Sequence, residues 1–250
     1  MKKYKVLIVG HGYIASNLKF FFKKKKIHYN FIKKKYFNKK DFIDAVNNNN
    51  FKTAIILFGK TSIKFCQKNK IKSFQVNVKK TVEIIEILLK KQIKTIYLST
   101  DLVFSGNRKI YYNNTKPDGT LEYAKQKITI ENKFKNKKNF AILRISKIIE
   151  RDLNFFIKKQ ETDVNIKTCS PILLRDVLTI ITKMIKNFKS GIFQFSSKPN
   201  ISNKFFLVKK NINSKHPVMQ NNVFKHYKRT TEITDSKKII KIIMNRFNDS

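Results

Sequence analysis

Tyr4-Lys5-Val6-Leu7-Ile8-Val9-Gly10-His11-Gly12-Tyr13-Ile14-Ala15 is the stretch that decides the fold. Tyr4 to Val9 is a compact apolar run of strand length, and Tyr13 to Phe22 carries apolar residues densely enough for a buried helix. Two glycines break the pattern between them. In such a unit Gly10 permits a tight turn, Gly12 lets the backbone approach a pyrophosphate, and the small Ala15 lets the helix pack closely on the strand. The first helical turn, with the N–H groups of Tyr13, Ile14 and Ala15, then faces the phosphates. The same residues would also serve a plain strand-to-helix turn without a ligand.

Outward from this unit, β-rich runs alternate with longer helical patterns. Ile27 to Ile32, Ala54 to Phe58, Thr95 to Leu98 and Phe140 to Ile145 read as strands. Val78, Val82, Ile85 and Leu89 recur at helical spacing, and Leu121 to Phe134 is a second helical pattern. Arg108 to Thr120, with Pro117 and Gly119, is a polar loop. Strands alternating with helices predict an α/β fold, a Rossmann-like doubly wound parallel sheet covered on both faces. The expected division is a dinucleotide-binding domain over residues 1–150 and a small C-terminal substrate lobe over 151–250. Part of the latter, about 173–197, returns to the sheet through a helix at Leu173 to Ile185 and a strand at Gly191 to Phe195.

The 250 residues include 55 Lys and Arg against 16 Asp and Glu, a net charge of +39. Disorder is excluded by the 41% hydrophobic content and 22 phenylalanines packed between the lysines. The longest apolar runs, such as Ile84 to Leu89, fall far short of the roughly 20 residues a bilayer requires, so no membrane role is expected. Two cysteines, Cys66 and Cys169, cannot staple a fold of this size and point to a reducing, cytoplasmic setting. The charge invites a nucleic-acid reading. Yet only six of the cations are arginines, the residues best suited to base reading, and the lysines are spread over the whole chain beside many asparagines. A solvated lysine surface set by compositional drift is therefore the reading taken, and nucleic acid is not an expected partner.

Tyr123 and Lys127 lie four apart at the start of a helical pattern and so share a face. An ammonium beside a phenol favours the phenolate, which is what proton exchange with a carbonyl oxygen near neutral pH requires. The strand at Thr95 runs into Ser99-Thr100-Asp101-Leu102-Val103-Phe104, placing hydroxyls at the carboxyl edge of a parallel sheet, where ligands of such folds bind. Lys33-Lys34-Lys35 follows the second strand with no acid before Asp41, a pattern that favours the 2′-phosphate of NADP over the free ribose of NAD, although lysines this abundant also fall there by chance. The four histidines form no ligand cluster with the cysteines, so no metal is expected.

Gly10-x-Gly12-x-x-Ala15, Val76-Asn77-Val78, Tyr97 to Phe104 and Tyr123-x-x-x-Lys127 together resemble the extended short-chain dehydrogenase/reductase superfamily. The segment Ser99 to Phe104 is most similar to its dTDP-4-dehydrorhamnose reductase branch, as are Leu143-Arg144-Ile145-Ser146, Leu174-Arg175-Asp176-Val177 and Arg229 to Lys237. The glycine turn is one residue shorter than the superfamily's usual G-x-x-G-x-x-G. The resemblance implies an NADPH-dependent reductase of a nucleotide-linked 4-keto sugar. In it Thr100 hydrogen-bonds the carbonyl, Tyr123 is the general acid, and Lys127 holds the nicotinamide ribose. Lys33, Phe58, Gly59 and Ser99 lie along the cofactor, while Phe104 and Arg175 meet the substrate. The same resemblance embraces epimerases, dehydratases and non-catalytic dinucleotide-binding subunits, and it allows a homodimer.

Overall fold

The computed structural model describes residues 5–32, 38–108, 110–148, 168–169, 172–196 and 201–202. Lys33 and Arg229 to Lys237 lie outside the described residues, as does most of the expected C-terminal lobe. Strands β1 (Lys5–Val9), β2 (Tyr29–Ile32), β3 (Phe51–Ile56), β4 (Lys94–Thr100), β5 (Phe140–Ile145) and β7 (Gly191–Phe195) form one six-stranded sheet. Its order is β2-β1-β3-β4-β5-β7, and β1 pairs in parallel with both β2 and β3, as β3 does with β4. A short antiparallel pair joins β6 (Thr168–Cys169) to β8 (Ile201–Ser202).

The order reverses at β1, which makes the β1/β3 edge the topological switch point of a doubly wound sheet. Helices alternate with the strands: α1 (Tyr13–Lys24), α2 (Lys39–Asn47), α3 (Ile63–Lys68), α4 (Lys70–Phe74), α5 (Thr81–Lys90), α6 (Glu122–Phe134) and α7 (Leu174–Lys186). The strands are the apolar runs of the sequence because both faces are covered. Leu7, Ile8 and Val9 are fully buried, and all six residues of β5 are buried.

One element departs from the expected pattern. Gln75–Lys80 forms a π-helical turn between α4 and α5. Across this turn and α5 the inward face carries Asn77, Val78, Thr81, Ile84, Ile85 and Leu88, while Val82 and Leu89 are only partly covered. Four-residue spacing from Val78 had placed Val82 and Leu89 on that face.

The chain divides into two compact units, Met1–Ser99 with Leu121–Leu143 and Ile181–Ile192, and Thr100–Thr120 with Arg144–Ile180 and Phe193–Ser250. The chain passes from one to the other within β4, β5, α7 and β7. The core of the first packs Leu7, Val9, Ala54, Ile56, Ile85, Leu88, Ile130, Phe134 and Ile142 together. No helix among the described residues is long and apolar enough to cross a membrane.

Candidate active site

The switch point is built by Gly10. Its φ of +125° is reserved for glycine, and a Cβ there would lie 2.7 Å from the Leu57 carbonyl carbon. Leu57 N–H in turn donates to the Val9 carbonyl at 2.8 Å, so the turn after β1 and the loop after β3 lie side by side. Gly12 is different in kind. Its φ is −73°, and a Cβ placed on it would meet nothing within 4 Å. The chain's own packing does not demand glycine there, whereas a close-lying pyrophosphate would. Gly12 is also the N-cap of α1; it brings no side chain to cap the helix, and the first turn holds no acidic residue. Ala15 is fully buried, Ile14 partly so, and Tyr13 is exposed.

Phe58 and Gly59 follow β3 and are partly buried. Gly59 has φ +146°, and a Cβ on it would stand 3.0 Å from Oδ1 of Asn77. That oxygen accepts the Lys60 N–H at 2.6 Å, and Nδ2 of the same side chain donates to the Lys60 carbonyl at 2.9 Å. Asn77 therefore satisfies both backbone groups of Lys60, a role the Val76-Asn77-Val78 pattern does not reveal.

On α6, Tyr123 is 8% exposed and Lys127 7%. The Lys127 Nζ donates to the Leu98 carbonyl of β4 at 2.9 Å, sits 4.5 Å from the Tyr97 ring centroid and 5.8 Å from that of Tyr123. Burial pulls its pKa down to about 8, against the opposing pull of the Glu131 charge and of Cys66. Burial likewise pushes the Tyr97 phenol well above its usual value. Ser99 donates to Oε1 of buried Glu131 at 2.6 Å, which fastens the end of β4 to α6. A phenol, an ammonium drawn toward neutrality and the end of β4 are thus gathered along one stretch of α6.

In the second unit Thr100 Oγ1 donates to Oδ1 of Asp101 at 3.0 Å and accepts the Leu102 N–H at 3.2 Å, capping a 3-10 turn over Asp101–Val103. Asp101 is 5% exposed, and burial raises its pKa to about 6 against the Thr100 hydroxyl, the Lys147 charge and backbone N–H groups. Phe104 is buried, stacked on Tyr111 at 4.4 Å with the Arg144 guanidinium 4.9 Å from its ring centroid. Arg175 stands exposed on α7.

Two comparisons set this architecture among known proteins. By sequence, the chain is 26% identical over 179 residues to the bifunctional dTDP-4-dehydrorhamnose 3,5-epimerase/dTDP-4-dehydrorhamnose reductase of Arabidopsis thaliana. The match takes in 66% of this chain and spans 59% of that relative's length. By structure, it is similar to the dTDP-4-dehydrorhamnose reductase of Bacillus anthracis str. Ames in complex with NADP, with a TM-score of 0.81 at 16% identity over 98% of this chain and 99% of the other. It is also similar to the Bordetella bronchiseptica enzyme WbmH in complex with NAD+, with a TM-score of 0.76 at 10% identity over 95% of each chain. Residues 4–167, from the first strand through the glycine turn, β4 and the Tyr123–Lys127 helix, match the RmlD substrate binding domain, and the chain belongs to that family.

Proposed function

We propose that the protein is an NAD(P)H-dependent reductase of a nucleotide-linked 4-keto sugar, with NADPH the favoured cofactor. The observation that carries this reading is the buried Lys127 ammonium, tied to the Leu98 carbonyl and held beside the Tyr123 ring. Family membership and the NADP bound to the similar Bacillus anthracis fold support it. Gly10, Gly12, Tyr13, Ile14 and Ala15 would hold the pyrophosphate, because the open face of Gly12 and a first turn of α1 without an acidic residue fit an anion at that place. Phe58, Gly59 and Ser99 would flank the rest of the cofactor. When bound, the nicotinamide supplies the hydride.

The side chains supply the proton. Tyr123 donates it to the ketone oxygen as negative charge develops there, and Lys127 stabilises the phenolate left behind while hydrogen-bonding the nicotinamide ribose. Thr100 completes the set in a defined way. Its hydroxyl hydrogen now points at Asp101, so it turns from the carboxylate to reach a carbonyl. Arg175 and Phe104 complete the proposal, Arg175 as a cation for the diphosphate and Phe104, buried against Tyr111, as an apolar support near the substrate. A cytoplasmic location accords with the free, buried thiol of Cys66.

The test is NADPH oxidation monitored by absorbance with dTDP-4-dehydrorhamnose as the trial substrate. Tyr123→Phe is expected to leave NADPH affinity near that of the wild type and to lower kcat roughly a hundredfold or more. Unchanged turnover in that variant would overturn the assignment. Tight NADPH binding with no reduction of any keto sugar would instead mark a non-catalytic dinucleotide-binding subunit.

A further inference from the structure

Between Tyr123 and Lys127 on α6 lies Gln126, only 1% exposed and not needed by the proton chemistry above. A glutamine amide offers two N–H donors and a carbonyl acceptor, and here all three functions are engaged. Nε2 donates to Ser73 Oγ on α4 at 2.8 Å and to Glu122 Oε1 one turn back at 3.1 Å. Oε1 accepts from Asn77 Nδ2 at 2.8 Å, across 49 residues of chain. Asn77 is the side chain that meets both backbone groups of Lys60, beside Gly59, whose φ of +146° suits glycine. The π-helical turn at Gln75–Lys80 brings Asn77 inward together with Val78. Every member of this path belongs to the same compact unit.

The geometry points to Gln126 as a positioning residue. Through Asn77 it ties the loop at Gly59–Lys60 to the helix that carries Tyr123 and Lys127, so that dinucleotide affinity and proton transfer depend on one amide. The inference rests on the dinucleotide reading given above. Its physical basis is that a buried, fully satisfied polar chain holds its members in one arrangement, whereas apolar contacts in its place would tolerate sliding. Ser73 provides the internal contrast, because it bonds the same glutamine but reaches Lys60 only through the Cys66 thiol, which donates to the Lys60 carbonyl at 3.4 Å.

The experiment uses the full chain and the variants Gln126→Met, Asn77→Ala, Ser73→Ala and the double variant Gln126→Met/Asn77→Ala. Three quantities are read well below the melting temperature: hydrogen exchange at the Lys60 amide, NADPH affinity by fluorescence, and kcat. Gln126→Met and Asn77→Ala should each speed Lys60 exchange and weaken NADPH binding, both on the order of tenfold, and lower kcat as well. The double variant should be no worse than Asn77→Ala, since both cut one path. Ser73→Ala, which leaves the Gln126–Asn77–Lys60 bonds in place, should lower the melting temperature while changing Lys60 exchange and NADPH affinity far less than Gln126→Met does. Should Gln126→Met fail to fold, Gln126→Asn, which keeps the amide but withdraws it by one methylene, gives the same reading. Normal Lys60 exchange and normal NADPH affinity in a folded Gln126 variant overturn the inference, and so do equal losses in Ser73→Ala. If the wild type binds no NADPH at all, the functional reading fails, and Lys60 exchange alone decides whether the tie exists.

Discussion

Gly10 and Gly12 are two residues apart and do opposite work. Gly10→Ala forces a Cβ against the Leu57 carbonyl at a φ that side chains avoid, and should cost about 2 kcal/mol or more in a urea melt. Gly12→Ala meets open space at an ordinary φ, so its expected cost is below about 1 kcal/mol, with loss of NADPH binding as the main effect. Lys127 gives a pH-dependent test. Its pKa falls from 10.5 in the unfolded reference to about 8 on burial, so between those values the unfolded chain binds the extra proton. The penalty is complete below pH 8, roughly 3 kcal/mol, and is gone above pH 10.5. The stability of Lys127→Met relative to wild type should therefore shift by about that amount in the wild type's favour between pH 7 and pH 10.5, as read by chemical denaturation. Gly10 and the shared face of Tyr123 and Lys127 were legible because their meaning is local: a tight turn needs glycine, and residues four apart share a helical face. Asn77 and Gln126 were not. Their partners lie 17 and 49 residues away, and nothing in the neighbouring sequence encodes that meeting.

Among the elements, the strands were the easiest to read, since apolar runs in a sheet covered on both faces have little else to be. The short lysine-rich helices α2 and α3 escaped, although each carries a start signal. Asn38 accepts the Asp41 N–H at 3.0 Å, and Ser62 accepts that of Phe65 at 3.2 Å, the usual work of such residues at a helix N-terminus. Asn38→Ala should cost about 1 kcal/mol in thermal or urea unfolding while leaving turnover intact. The π-helical turn was illegible for a deeper reason. Hydrophobic periodicity presumes 3.6 residues per turn and carries no sign of a wider one, and the buried stripe through Asn77, Thr81, Ile84 and Leu88 holds two polar residues, so apolar spacing alone drew the face toward Val82 and Leu89. That turn also presents Asn77 to the Gly59 loop, so the place where the pattern misleads is the place where a polar side chain was needed inside.

At the scale of the whole molecule, the fold followed from the alternation of strand and helix, but the charge carried no comparable structural meaning. Among the described residues, ion pairs join Lys39 and Lys80 to Glu83, and Lys133 to Glu86, all through solvent-exposed or half-exposed side chains that contribute little each. With a net charge of +39, self-repulsion is the dominant surface term, so the melting temperature should rise as salt is added from about 20 to 300 mM. The lysines also bear on β2. Among the described residues this four-residue strand stands at the end of the sheet order, half-buried, with one flank carrying no ladder partner. An open flank of this kind recruits strands from other molecules unless charge discourages them. Lys23 to Lys26 precede β2 in the sequence and Lys33 to Lys35 follow it, bracketing Tyr29–Ile32 with cations on both sides. Flanking charge of this kind is expected to discourage such pairing, so a chain with both runs changed to glutamine should fold as before yet precipitate at concentrations the wild type tolerates.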